Sequence, residues 1–267
     1  MKLIKKFFKR GKIIPVVRLD GVIGSAGQFG GGGLTDANLK SVFEKAFDIP
    51  KIKALALIIN SPGGSPTQSS LIAARIQRMA REKDVKVFAF CEDVAASGGY
   101  WLACAADEIF ADENSIIGSI GVISAGFGFH ELINRQGIER RVYTAGEDKS
   151  ILDPFRPEKP SDIVKLKKIQ ESIHNNFIKH VEGRRGDKIN KDHVCTGEFW
   201  TATKSLELGL IDGIGHLEPI LKDRYGEKVE FKLISRRKPF FARLSRAMIN
   251  SVVGLILNKL YFSRYNM

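Results

Sequence analysis

Apolar residues along this chain fall in short runs separated by stretches of helical period, an order that predicts strands alternating with helices. Residues 54–59 (ALALII) and 85–90 (VKVFAF) are the densest runs and read as strands covered on both faces. The first ends in the turn Asn60-Ser61-Pro62-Gly63-Gly64 and enters a helical pattern over 65–82. The second passes through 91–93 into Val94-Ala95-Ala96-Ser97-Gly98-Gly99-Tyr100 and then a small-residue segment over 101–106. Strand, turn, helix, repeated, is the order of an α/β fold with a largely parallel sheet and right-handed crossovers. Ligands in such folds gather at the carboxyl ends of the strands, where both glycine turns fall.

The flanking pattern adds a strand over 13–19, a glycine-rich loop over 21–33 and a helix over 35–47 capped by Thr35 or Asp36. Further on it predicts strands at 108–111 and 116–124, a helix at 129–136 and an extended stretch at 141–144. Three prolines exclude regular helix over 153–160. A long amphipathic helix follows over 161–182 and is expected to stop at Gly183-Arg184-Arg185-Gly186. A short helix at 203–209, a strand at 209–215, a helix at 216–225 and an extended stretch at 229–235 complete the body. Leu244, Met248, Val252 and Leu255 then recur at steps of three and four, one face of a C-terminal helix. With no long linker, one domain over 13–235 is expected, between basic segments 1–12 and 236–267.

Charge sharpens this picture. The net charge of +12 comes from 42 Lys and Arg against 30 Asp and Glu. Six basic residues lie in 1–12 and six in 232–246, with no acidic residue in either, so the body is neutral. That placement argues against a nucleic-acid partner, whose basic stripe lies on the folded body, and suits attraction of the ends to an anionic membrane surface. No stretch approaches the roughly 20 apolar residues needed to span a bilayer. The N-terminal apolar residues are interrupted by Lys5, Lys6, Lys9 and Arg10, too often for a signal sequence. Cys91, Cys104 and Cys195 are widely spaced without a C-x-x-C pair, so neither a disulfide framework nor a structural zinc is expected. The glycine loop lacks the G-K-[ST] ending of a phosphate-binding loop. No cofactor and no metal are expected.

Two segments carry candidate chemistry. Ser97 follows a buried strand among Ala and Gly residues, a setting that permits a strained strand-to-helix elbow exposing a nucleophilic hydroxyl, although Ala95 stands where the G-x-S-x-G pattern has glycine. The same setting suits a serine that only caps the following helix. The Ser61-Pro62-Gly63-Gly64 turn allows close approach of backbone N–H groups to a ligand, or is an ordinary strand-ending turn. A serine needs a base. None of the five histidines sits in an identifiable triad pattern, and a lysine made neutral by burial can take the role, though spacing alone selects no lysine.

Asn60-Ser61-Pro62-Gly63-Gly64, Asp93 to Tyr100, and Gly118-Ser119-Ile120-Gly121-Val122 together resemble the signal peptide peptidase SppA family, serine–lysine peptidases related in fold to Clp protease and crotonase. The resemblance spans about 13–235. It implies a Clp protease/crotonase-like α/β fold of repeated β-β-α units with a mostly parallel sheet, and Ser97 as nucleophile. It further implies Lys149, in Gly146-Glu147-Asp148-Lys149, as general base, and Ser119 as the hydroxyl that orients its amine. Gly64 is implied as a backbone donor of the oxyanion hole, with Gly98 as the second by analogy with Clp protease. The implied substrates are signal peptides and other unfolded segments. The implied assembly is a homo-oligomer, an octamer in which the lysine of one copy completes the serine site of its neighbour.

Members of that family usually carry a membrane-spanning helix. None is read in this sequence, so the expected location is the cytoplasmic face of a bacterial membrane, reached through the basic ends, or the cytoplasm. The competing readings are a crotonase-like acyl-CoA enzyme and a non-catalytic scaffold at a membrane surface.

Overall fold

The computed structural model describes residues 12–24, 33–146, 148–235 and 259. The basic N-terminal segment up to residue 11, most of the glycine loop, Glu147 and the C-terminal helix face lie outside the described residues. In chain order the elements are β1 (Ile13–Asp20), α1 (Asp36–Phe47), β2 (Ala54–Ser61), α2 (Pro66–Lys83), β3 (Lys86–Ala96), α3 (Gly98–Ala103), β4 (Glu108–Ala111) and β5 (Ile116–Gly118). There follow α4 (His130–Arg135), α5 (Pro160–Arg185), α6 (Lys191–Val194), β6 (Phe199–Thr201), α7 (Ala202–Glu207), β7 (Gly213–Ile214), α8 (Leu217–Tyr225) and β8 (Glu230–Leu233). The chain divides into two compact units, residues 1–120 with 178–267, and residues 121–177.

In the first unit the strands form one sheet in the order β6-β5-β3-β2-β1-β8, with β4 beside β3 and β7 beside β4. Every pairing is parallel except β5 with β6. The long strand β3 serves two partners in turn. Its first half pairs β4 from Phe88↔Glu108 to Cys91↔Ala111, and its last three residues pair β5 from Val94↔Ile116 to Ala96↔Gly118. The dense apolar runs explain this centrality, because β2 and β3 are buried on both faces over most of their length. On one face Ile14, Val16, Ala56, Phe88, Phe90 and Phe110 pack with Leu221 of α8. Helices α1 and α2 bury Val42, Phe43, Phe47, Ile72 and Ile76. Both helices start as their sequences dictate: Thr35 Oγ1 accepts the N–H of Asn38, and Ser65 Oγ that of Gln68.

Several elements differ from the sequence reading, each for a local reason. Helix α5 runs through the expected stop at Gly183 to Arg185 because both arginines are used inward. Arg184 donates to the carbonyls of Cys104 and Ala106, and Arg185, 4% exposed, donates to Gly209 O and bonds both oxygens of Asp212. Strand β5 stops at Gly118, where Gly118 and Ser119 take φ of +107° and +53°. β7 is two residues rather than seven. β6 and α6 had no sequence signal.

The second unit holds α4 and the first part of α5. Arg140 pairs with Asp153 at 3.4 Å and stacks over Phe155, which neighbours Phe129, while Lys165 pairs with Asp148. Residues 153–159, with Pro154 and Pro157, are irregular, and the third proline, Pro160, opens α5 at an end where proline is tolerated.

Candidate active site

Ser97 stands between the end of β3 and the first residue of α3, with φ +52° and ψ −122°. That conformation is costly for a residue bearing a Cβ, of order 1–3 kcal/mol. The hydroxyl makes no capping hydrogen bond, so helix capping is not its role. The half-buried side chain is thereby lifted off the strand end at the mouth of a helix whose first N–H groups have no intrahelical acceptor.

The Ser61–Gly64 turn lies directly against it. A Cβ on Gly63 would sit 2.8 Å from both Gly98 N and Ser97 Cβ, so only glycine admits this approach, and its φ of +102° demands the same residue. Gly64, at φ +142°, is backed by residues 22–24. Ile23 N–H donates to Gly63 O and Ser65 N–H to Ile23 O, both at 2.8 Å, which leaves the N–H of Gly64 directed away from that segment. Gly98 packs on Ser69, whose Oγ would lie 2.5 Å from an added Cβ. Among the described residues no backbone acceptor takes the N–H of Gly64 or Gly98. Two free amide donors thus flank the Ser97 turn.

Ser119 is brought to the same place through the backbone. Ser97 N–H donates to Gly118 O at 2.8 Å, so the residue that follows β5 is adjacent to the elbow. Ser119 is 3% exposed, and its own N–H donates to Glu198 O at 2.7 Å. Trp200 of β6 lies against Gly118. The short strand that sequence reasoning missed is therefore what fixes the position of Ser119.

Lys149 belongs to the second unit, in a turn where its N–H donates to Gly146 O, and its side chain is exposed with no ion pair among the described residues. Two histidines of the first unit are engaged elsewhere. His180 Nε2 meets the carbonyl of Trp101 at 3.0 Å and His216 Nε2 meets Asp112 at 2.9 Å. Among the described residues no group of three or more His, Cys, Asp or Glu side chains is placed to hold a metal ion.

Residues 79–228 match Peptidase family S49. The chain belongs to this family. S49 relatives include a protein of Enterococcus faecium named as a signal peptide peptidase SppA, 30% identical over 81% of this chain and 64% of its own length. A Brucella abortus protein named Na(+)/H(+) antiporter NhaA is 51% identical over 86% of this chain, but the chain spans only 31% of it. None of the described helices here is long and apolar enough to cross a membrane. A solved membrane-bound stomatin-specific protease, a point mutant, aligns with a TM-score of 0.52 at 16% identity, over 85% of this chain and 99% of its own. That likeness establishes the Clp protease/crotonase-like α/β fold with its mostly parallel sheet.

Asn60 and Ser61 stand in a turn quoted from the sequence, but the pattern there assigns neither side chain a role. At the register shift between Ile59 and Ser61 in the β2–β3 ladder, Asn60 supplies the missing bonds: Oδ1 accepts Val94 N–H at 3.3 Å and Nδ2 donates to Asp93 at 2.7 Å. Such bulges re-aim a strand beside an active site. Ser61, fully buried, accepts the N–H of Gly63 on its Oγ at 3.2 Å. A serine two residues before a glycine is the available signal, shared with many ordinary turns.

Proposed function

We propose that this chain is a serine endopeptidase using a Ser97–Lys149 dyad, acting on unfolded peptides such as signal peptides through an acyl-enzyme. The observation that supports this most is the strained elbow of Ser97 with two unclaimed amide donors beside it. Ser97 Oγ attacks the peptide carbonyl as neutral Lys149 takes its proton, and the carbonyl oxygen becomes an oxyanion facing the N–H groups of Gly64 and Gly98. The protonated amine, oriented by Ser119, gives the proton to the leaving nitrogen. A water, deprotonated by the same amine, then attacks the ester carbon and releases the acyl group and Ser97. No cofactor enters these steps. An extended substrate adding a strand beside Gly64 suits the preference for unfolded chains.

A lysine becomes a base only where burial strips its proton near neutral pH. Lys149 is exposed in the single chain, so its dry surroundings are supplied by assembly with another copy of the protein. Large apolar residues of the second unit lie open to solvent, among them Phe127 at 80% and Ile123 at 68% exposure, and such an assembly would cover them.

Cleavage of casein or a synthetic signal peptide tests the reading. Ser97→Ala and Lys149→Ala should each lower kcat/KM by at least a thousandfold with folding intact by circular dichroism. Retained hydrolysis in Ser97→Ala removes the nucleophile assignment. Labelling by a serine-directed phosphonate, lost in Ser97→Ala, separates this chemistry from that of an acyl-CoA enzyme or a scaffold.

A further inference from the structure

We propose that Ser61 is a positioning residue for the oxyanion hole, acting through the turn rather than on the substrate. The inference rests on the reading of Ser97 as nucleophile and Gly64 as an oxyanion donor. Its basis is the accounting of amide hydrogens between β2 and α2. Pro62 has none. The N–H of Gly63 goes to Ser61 Oγ and that of Ser65 to Ile23 O, which leaves the N–H of Gly64 as the turn's one uncommitted donor among the described residues.

Ser61 is also placed where its shape is felt on both sides of the site. It is 0% exposed and pairs with Ala95, two residues before the nucleophile. Its carbonyl lies so close to Gly99 that any Cβ there would collide with it, and its own Cβ would be 3.2 Å from that added atom. Gly63 in turn touches Ser97 and Gly98. The Ser61 hydroxyl therefore ties the strand end that carries it to the glycine turn, while the residue's carbonyl and Cβ pack on the start of α3.

Loss of that acceptor leaves a buried amide without a partner and frees the one residue between Pro62 and Gly64 to rotate. The N–H of Gly64 then loses its aim, and a displacement of about an ångström at such a donor is enough to lower turnover by a factor of order 10². Substrate binding elsewhere is untouched, because Ser61 has no exposed surface to offer it. Ser61 thus belongs to transition-state stabilisation, and its removal should appear in kcat rather than KM.

The test compares the parent protein with Ser61→Ala, Ser61→Cys and Ser97→Ala on one peptide substrate. It adds inhibition by a peptide aldehyde, whose tetrahedral adduct places an oxygen where the oxyanion forms. Ser61→Ala is expected to lower kcat by roughly tenfold to a hundredfold at constant KM and to weaken the aldehyde by a similar factor. Affinity for a non-covalent product peptide should stay within twofold. Should Ser61→Ala fail to fold, Ser61→Cys decides: its sulfur fills the space but is a weak acceptor, and a loss of at least fivefold in kcat is expected. Parent-like kcat and aldehyde affinity in the folded variant, with Ser97→Ala inactive, overturn the role of Ser61 and leave the peptidase reading standing. Equal losses in product-peptide and aldehyde affinity also overturn it, since they mark a general structural defect. Full activity in Ser97→Ala overturns the reading beneath it.

Discussion

At Ser97 the backbone conformation and the side chain make opposing demands. The pair φ +52°, ψ −122° is the mirror image of an extended conformation, open to glycine and strained for any residue with a Cβ. Ser97→Ala keeps the strain, whereas Ser97→Gly relieves it and costs part of the gain in unfolded-chain entropy. Ser97→Gly is therefore expected to be more stable than Ser97→Ala by about 1 kcal/mol, with both inactive. Denaturant titration of the two variants checks this, and a glycine variant no more stable than the alanine one would show the elbow to be unstrained. How far the residues were legible follows the same logic. Ser97, Gly64, Gly98 and Ser119 stand in sequence blocks whose meaning comes from their combination, and the structure brings these four together. The side-chain roles of Ser61 and Asn60 were not legible: the bonds of Asn60 exist only once β2 and β3 are set in register, and that of Ser61 to Gly63 is one many ordinary turns make.

Among the elements, the strands with dense apolar runs were readable because burial on two faces leaves little choice of residue. The end of β3 was not: Glu92 and Asp93 interrupt the apolar run, yet the strand continues to Ala96 because a second partner, β5, takes over its edge. Strand β6 has three residues with no buried side chain, so no alternation announces it. Helix α5 shows how side-chain use overrides an apparent stop signal. His180 and Arg184 satisfy the carbonyls of Trp101 and Cys104 at the end of α3, so the last turns of α5 grip the helix that Ser97 begins. Burial pushes the His180 imidazole down to about 4, and neighbouring Arg184 adds to the effect, against the hydrogen bond to Trp101. The native state therefore binds fewer protons than the unfolded chain between about pH 4 and 6.5. Stability from this group is complete above pH 6.5 and falls as the pH drops toward 4, by about 2–3 kcal/mol in all. His180→Gln keeps a donor for Trp101 but cannot titrate. The parent's stability relative to this variant should fall by that amount between pH 7.5 and pH 4, measured by denaturant titration at fixed protein concentration. A constant difference across the range would mean that His180 is not buried neutral.

For the whole molecule the decisive fact is that the serine and the proposed base belong to different compact units, with the base exposed in a single chain. A hydroxyl and an amine can be assembled in the same copy or between copies, and the two arrangements predict different outcomes in mixtures. Assembly between copies can be a two-fold pair or a heterologous contact repeated around a closed ring, and in either each site draws Ser97 from one copy and Lys149 from another. The exposed apolar residues of the second unit, with Leu132 at 53%, Ile138 at 56% and Ile169 at 58%, give such a contact its driving force. Ser97→Ala and Lys149→Ala chains are each expected to be inactive alone. Dissociated, mixed in equal amounts and reassembled, they should regain about a quarter of parent activity per chain, the share of sites at which an intact serine meets an intact lysine by chance. Sedimentation velocity of the parent should show a single closed oligomer, and replacing Phe127 and Ile138 with aspartate should yield monomers without activity. An active monomer, or a mixed assembly with no recovered activity, would place both groups of the dyad within one copy and require Lys149 to find its dry surroundings inside its own chain.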